Sequence, residues 1–169
     1  IFGGETWNSG SFEFSMNLYV ATTAYFNLQG SADIGTIWAM QIIFDNQGGY
    51  DFTNGAILGS YPGTGEWFNV TLKCNDLTTS TWELFIDGES QGSVELPNGS
   101  SVAACNLYAA DGNNYYVDDI SWTAISSDAC SSELSETTVY ISDNIDLTLD
   151  ISNETCGESN GSVTSTING

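Results

Sequence analysis

Hydrophobic and polar residues alternate along most of the chain. In segment 12–20 every second residue is apolar, namely Phe12, Phe14, Met16, Leu18 and Val20. A period of two places successive side chains on opposite faces of a strand, so this segment predicts a half-buried β-strand. Similar segments predict further strands at 24–29, 38–45, 67–74, 82–86, 93–96, 102–109 and 115–123.

Segment 38–45 is apolar on both faces, which predicts a central strand. Its alternation assigns Trp38 to the same face as Met40, Ile42 and Phe44. A Gly-rich turn at 46–49, a loop through Pro62-Gly63 and a tight turn at Asp87-Gly88 separate the later strands. About nine short strands at this spacing predict an all-β fold, a two-sheet antiparallel β-sandwich.

The composition changes after Thr123, which predicts a domain boundary. Residues 1–124 are expected to form the sandwich, the Ser-rich acidic segment 125–136 a linker, and residues 137–169 the start of a second β module. Two more strands are predicted in that module, at 137–141 and 145–151. Because the N-terminus lacks the basic region of a signal peptide, the chain is expected to be a piece of a longer protein.

The charge balance excludes several partners. The chain has 22 acidic residues and one basic residue, Lys73, which gives a net charge of −21. Such a charge repels nucleic-acid phosphates and anionic lipid headgroups, so neither nucleic acid nor a membrane is an expected partner. No apolar run approaches the ~18 residues of a transmembrane helix, so membrane insertion is not expected either.

The residue types argue against an enzyme. Without any His or Arg, the chain has neither a Ser-His-Asp triad nor a Cys-His pair. A pair of carboxylates on one sheet is the remaining possibility, as in glycosidases. However, the outward-facing acids Glu13, Asp45 and Glu83 are scattered along the chain. We therefore expect no catalytic residues, with a glycoside hydrolase as the least favoured alternative.

The four cysteines match no zinc-binding spacing and, in a strand-rich polar chain, predict two disulfides and an oxidising compartment. Phasing places Cys74 and Cys105 on core-facing positions, which predicts a Cys74–Cys105 disulfide. Cys130 and Cys156 both lie in the tail and form the second predicted pair. Four free thiols remain the alternative.

Aromatic and amide residues on the non-core faces of the strands, together with aromatic residues in or beside loops such as Trp67, suggest a glycan-binding site, since rings stack on sugars and amides bond to sugar hydroxyls. The candidate ligand-binding residues are Tyr19, Tyr25, Asn27, Gln41 and Trp67. Neutral glycans are the expected ligands, because the acidic chain repels anionic polysaccharides. The alternative is that these aromatic residues fill the sandwich or cover a second sheet face.

Four sequence segments that occur in a fixed order along the chain indicate a family: GSFEFSMNLYV, AYFNLQG, EWFNVTLKCNDLTTSTWELFIDG and NNYYVDDISW. Together they resemble the laminin-G-like, concanavalin-type jelly-roll modules of large secreted Bacteroidetes proteins, over about residues 10–123. The tail, CGESNGSVTSTING, is similar to the start of the SprB-type repeats of gliding-motility adhesins. The resemblance implies a jelly roll, an extracellular cell-surface location and export by the type IX secretion route.

The adjacent pair Asp118-Asp119 suggests a calcium site. On a regular strand one of the two carboxylates would face the core, where it would need a partner. Oxygen ligands suit Ca²⁺, and the resemblance implies a structural calcium at Asp118, with Glu5 or Asp111 nearby. Hydrogen bonds alone remain the alternative for both aspartates.

These observations predict a non-catalytic binding or adhesion module of a cell-surface protein. Its expected partners are glycans or surface polymers, other domains of the same chain, and the secretion machinery. The alternative is a structural spacer or an export cargo domain.

Overall fold

In the computed structural model, residues 2–126, 146–152 and 162–168 are described. The chain divides into two units, 1–126 and 127–169. The first contains ten strands and a short 3₁₀ turn at Leu77–Thr79. The strands are β1 Ser11–Val20, β2 Ala24–Gln29, β3 Trp38–Phe44, β4 Gly49–Phe52, β5 Ile57–Ser60, β6 Trp67–Cys74, β7 Thr81–Ile86, β8 Glu89–Glu95, β9 Ala104–Leu107 and β10 Tyr115–Ile125.

The ten strands form two antiparallel sheets. The first sheet has the order β10-β1-β6-β7-β8, and the second has the order β5-β4-β3-β2-β9. The prediction of an all-β, two-sheet antiparallel sandwich is therefore confirmed. Strand β3 is the middle strand of the second sheet, as its apolar composition predicted. Within the described ranges, no helix is long and apolar enough to cross a membrane.

The core lies between the two sheets. All five apolar side chains of β1 are buried, as the alternation predicted, and so are the alternate residues of β6 from Phe68 to Cys74. Aromatic contacts join the sheets, with ring centroids 6.3 Å apart for Phe14 and Phe26 and 5.3 Å apart for Phe44 and Phe68. Burial of each such side chain stabilises the fold by about 1.5–3 kcal/mol.

Strands β4 and β5 were not predicted, because they are only four residues long and contain glycines at Gly49 and Gly59. The glycine of β5 has a packing role, since the ring of Tyr50 lies against it. A Cβ atom at position 59 would lie 2.6 Å from Cζ of Tyr50. The segment predicted as a turn and loop therefore forms the outer part of the second sheet.

The turn at Asp87-Gly88 is confirmed. Both residues have positive φ, 50° and 79°, as a two-residue type I′ hairpin requires. Ile86 and Glu89 pair on either side of it, so β7 and β8 form a tight hairpin.

Strand β10 contains a β-bulge next to β1. Ser15 pairs with Ser121 and Asn17 pairs with Asp118, so two residues of β10 lie opposite Met16. Asp119 has a φ of 49° within this bulge. Because the bulge breaks the alternation, both Asp118 and Asp119 are exposed. The prediction that one of these aspartates faces the core was wrong.

The predicted Cys74–Cys105 disulfide was also wrong, because both thiols are free. Both side chains pack at the core, as their phasing predicted. However, Cys74 lies on β6, the middle strand of the first sheet, and Cys105 on β9, at the edge of the second, and phasing does not show which strands face each other. The other predicted partners, Cys130 and Cys156, lie outside the described residues.

We expect the two thiols to be unreactive in the folded protein. Burial raises the pKa of Cys105 to about 12 and also raises the pKa of Cys74, whereas the thiolate is the reactive form. Iodoacetamide should therefore leave both peptides unmodified at neutral pH and label both in denaturant, as read by mass spectrometry. A non-reduced peptide linking Cys74 to Cys105 would contradict this structure.

The second unit contains one described hairpin. Strand β11, Asp146–Ser152, pairs antiparallel with β12, Ser162–Asn168. The strand predicted at 145–151 is observed as β11. The strand predicted at 137–141 lies outside the described residues, as does most of the predicted linker.

Candidate functional site

The outer face of the second sheet carries a row of side-chain amides across its strands. Asn27 on β2 lies opposite Asn106 on β9 and opposite Gln41 on β3. The Gln41 amide Nε2 donates to Oδ1 of Asn54 at 2.6 Å, which extends the row beyond β3. Asn106, Asn27, Gln41 and Asn54 are called the amide row below.

Hydrogen bonds orient this row. The Nε2 of Gln29 donates to Oδ1 of Asn27. Asn27 Nδ2 donates to the hydroxyl of Tyr25 at 3.1 Å, and this hydroxyl donates to Oε1 of Gln41 at 3.1 Å. Because every donor points in the same direction along this chain of bonds, from Gln29 to Asn54, the amide orientations of Asn27, Gln41 and Asn54 are mutually consistent without a ligand.

Asn27 and Gln29 are buried although they lie on an outer sheet face, with exposed fractions of 1% and 0%. The loop between β2 and β3 folds back next to them. Its Gly35 N–H donates to Oε1 of Gln29 at 2.9 Å. Asn27 therefore lies at the floor of a cavity, and the fully buried Gln29 supports it from beneath the loop.

Two cavities of about 300 Å³ each adjoin this face. Trp38 borders both of them and is 47% exposed. The rings of Tyr25 and Tyr108 meet edge to face, 5.8 Å apart, in the wall of one cavity. The two cavities together are called the Trp38 groove; its lining is Tyr25, Asn27, Ile34, Gly35, Trp38, Ala39, Met40, Gln41, Thr53, Asn54, Leu96, Pro97, Asn98, Asn106 and Tyr108.

No acidic or basic side chain lines the Trp38 groove. The ionisable side chains in its walls are the phenols of Tyr25 and Tyr108. The groove offers aromatic rings, amides, a threonine hydroxyl and backbone groups, which are the chemistry of ligand binding.

A second group of aromatic residues lies on the outer face of the first sheet. Tyr19 on β1 pairs with Trp67 on β6 and with Tyr116 on β10. Its ring centroid lies 5.5 Å from that of Trp67 and 5.8 Å from that of Tyr116. Tyr116, Tyr19 and Trp67 are called the aromatic strip below.

The structure divides the five predicted ligand-binding residues between two faces. Tyr25, Asn27 and Gln41 lie together in the Trp38 groove, whereas Tyr19 and Trp67 lie on the aromatic strip of the other sheet. Sequence reasoning missed Trp38, because alternation assigned it to the core. A register shift at Leu28/Gln29 pairs Trp38 with Gln29 and leaves its ring exposed.

The three predicted metal ligands are not brought together. Asp118 lies next to the bulge of β10, Asp111 in the loop before β10, and Glu5 in the N-terminal segment. Among the residues that the structure describes, no group of three or more acidic or cysteine side chains could hold a metal ion. Asp118 Oδ1 instead accepts from the N–H of Asp119 at 2.8 Å. Calcium binding stays a prediction.

No protein-family model and no curated protein matches this sequence. Solved structures do resemble the fold. An alginate lyase, A1-II′, has a TM-score of 0.52 at 12% identity, over 72% of this chain and 66% of the lyase. A sialidase has a TM-score of 0.50 at 9% identity, over 69% of this chain. Carbohydrate-binding module CBM66 from Bacillus subtilis has a TM-score of 0.49 at 7% identity, over 71% and 78% of the two chains.

The chain spans only 13% of the length of that sialidase. At these identities the similarity shows the fold, which is a jelly-roll β-sandwich as the resemblance implied. The function therefore has to be argued from the side chains of this chain.

Proposed function

We propose that this chain is a non-catalytic module that binds a neutral glycan in the Trp38 groove. The observation that carries the proposal is the exposed Trp38 ring between two cavities, next to a row of oriented amides. An aromatic ring can stack on the apolar face of a sugar, and amides can donate to and accept from its hydroxyls.

Charge supports a neutral ligand. The lining of the groove contains no ionic side chain, so a charged sugar would lose hydration without gaining a partner. The net charge of −21 also repels polyanions such as alginate at a distance.

The acids that the glycosidase alternative would use have other partners. Glu13 pairs with Lys73 at 3.5 Å, and Glu83 accepts from the hydroxyl of Ser90. Asp45 Oδ1 accepts from the N–H groups of Gln47 and Gly49, both at 2.8 Å, and so stabilises a turn. None of the three acids lines the Trp38 groove, which supports the non-catalytic function.

The proposal includes an extracellular, adhesive setting within a longer surface protein. Its support is the resemblance of residues 10–123 to modules of secreted proteins, together with a surface poor in cations. Type IX export and a SprB-type continuation of the chain stay predictions.

Trp38→Ala should remove glycan binding by the groove. Affinity electrophoresis of the full chain through gels containing soluble mannan, xyloglucan, laminarin or alginate provides the test. We expect at least one neutral polysaccharide, and not alginate, to retard the protein. Trp38→Ala should weaken that retardation about tenfold or more, since stacking on the ring is lost.

Leu58→Ala is the matched control, because Leu58 is 68% exposed on β5 and does not line the groove. This variant should bind like the unchanged protein. Retardation of Trp38→Ala equal to that of the Leu58→Ala control would contradict the proposed site.

A further inference from the structure

We propose that the aromatic strip is a second, separate binding site, which takes a single neutral glycan chain. The inference rests on the proposed glycan-binding function, but it does not require the Trp38 groove. The two sites lie on different sheets, and the outer faces of stacked sheets point in opposite directions. One molecule could then hold two glycan chains at once, as an adhesive module would need.

The strip is a surface feature and not a part of the core. Trp67 is 53% exposed and Tyr116 is 58% exposed. Their partner Tyr19 lies between them, on the non-core face of β1. Three neighbouring rings on three adjacent strands thus expose an apolar surface on the outer face of the first sheet.

Ring geometry indicates the shape of the ligand. The ring of Tyr19 is inclined at 52° to that of Trp67 and at 67° to that of Tyr116. Because no single plane contains the three ring faces, the strip does not match the flat surface of a crystalline polysaccharide. A single chain that twists from one sugar to the next can present a face to each ring.

Polar groups adjoin the strip two positions along the strands. Asn17 lies opposite Asn69, whose Nδ2 donates to Oδ1 of Asn17 at 3.1 Å. Asn17 Nδ2 donates to Oδ2 of Asp119 at 2.8 Å. The remaining lone pairs of these amides and of the carboxylate can accept hydrogen bonds from sugar hydroxyls. Rings and hydrogen-bonding groups thus occupy neighbouring rows, as they do in the Trp38 groove.

Other occupants fit the strip less well. Two copies of this chain carry a charge of −21 each and repel one another. Three rings also give far less than the ~800 Å² per partner that a stable protein interface buries. An anionic ligand would meet the exposed carboxylates of Asp118 and Asp119. A neutral glycan chain is not repelled by the net charge or by these carboxylates, and it does not need a large interface.

The experiment compares three alanine variants and one conservative variant of the full chain in affinity electrophoresis and calorimetry. Laminarin and xyloglucan are the soluble probes, and microcrystalline cellulose is the flat control. The variants are Trp38→Ala, the double variant Trp67→Ala/Tyr116→Ala, and the triple variant that combines all three. Their melting temperatures should match, because all three residues are exposed. Trp67→Phe should keep most of the binding, since it keeps a ring.

We expect Trp38→Ala to retain residual binding to a soluble probe, and the triple variant to lose it by about tenfold or more. The number of glycan sites per molecule should be two in the unchanged protein, one in Trp38→Ala and one in the double variant. A triple variant that binds as well as Trp38→Ala would overturn the inference and leave the groove intact. If the double variant loses all binding while Trp38→Ala binds like the unchanged protein, the strip is retained as a site and the groove is rejected.

Absence of binding to every soluble probe would overturn both sites. Binding to crystalline cellulose through the strip would reject the single-chain ligand. If polylysine bound instead of the glycans, and Trp67→Ala/Tyr116→Ala removed that binding, a basic polypeptide would be the partner and the inference would be wrong.

Discussion

Replacement of Trp82 by alanine is expected to lower the free energy of unfolding by about 3–5 kcal/mol. Trp82 is fully buried on β7, and its ring lies 6.2 Å from that of Phe12. Its indole Nε1 donates to the carbonyl of Gly99 at 2.8 Å. The change would open a large cavity and also leave a buried carbonyl without a partner.

Urea unfolding, followed by circular dichroism, measures this loss as a lower midpoint at an unchanged slope. Trp82→Phe should cost less, about 1–3 kcal/mol, because it refills much of the space and removes only the donor. Trp67→Ala is the exposed control and should change the stability by only about 0.5 kcal/mol. A loss below about 1 kcal/mol for Trp82→Ala would contradict the packing of this core.

Gln29→Ala should destabilise the fold by about 2–3 kcal/mol and weaken glycan binding as well. The Gln29 side chain is fully buried and joins Asn27 to the N–H of Gly35. Without it, a buried acceptor and a loop donor lose their partner. Asn27 would then be free to turn, and the loop that precedes Trp38 would lose an anchor.

Gln47→Ala is the matched control, because Gln47 is an exposed glutamine in a turn. It should change neither stability nor binding measurably. Gln29→Glu tests the chemistry more sharply, since it keeps the shape but places a carboxylate oxygen against Oδ1 of Asn27. If Gln29→Glu is as stable as the unchanged protein at neutral pH, the proposed hydrogen-bond direction is wrong.

The sequence allowed the strands and their core faces to be predicted where the alternation is regular. The five buried positions of β1 and the Asp87-Gly88 turn are examples, because period two and positive φ are local properties. Strands β4 and β5 could not be predicted in this way, because four-residue strands with glycines have no clear alternation.

Irregular pairing and strand order lie beyond local patterns. The bulge opposite Met16 exposes both Asp118 and Asp119, and it depends on how β10 pairs with β1. The register shift next to Gln29 similarly turns Trp38 outward. Cys74 and Cys105 were correctly phased toward the core, yet only the strand order shows that one lies on a middle strand and the other on an edge strand of the opposite sheet.

The candidate site was predicted in part. Tyr25, Asn27 and Gln41 were identified because they alternate with core residues, and the structure places them in one groove. The groove is completed by Trp38 on β3, by Asn106 on β9 and by Tyr108, which directly follows β9. Their contribution depends on long-range pairing, which a single sequence does not reveal.

The measurement that tests the central claim most directly is an NMR titration of the side-chain amides with a neutral oligosaccharide. Binding in the Trp38 groove predicts shifts in the amide signals of Gln41, Asn54 and Asn106 and in the Trp38 indole signal. The Trp82 indole signal should remain unchanged, because its N–H is buried and bonded to Gly99. If titrations with oligosaccharides of mannan, xyloglucan and laminarin all leave the four groove signals unmoved, the proposed function is contradicted.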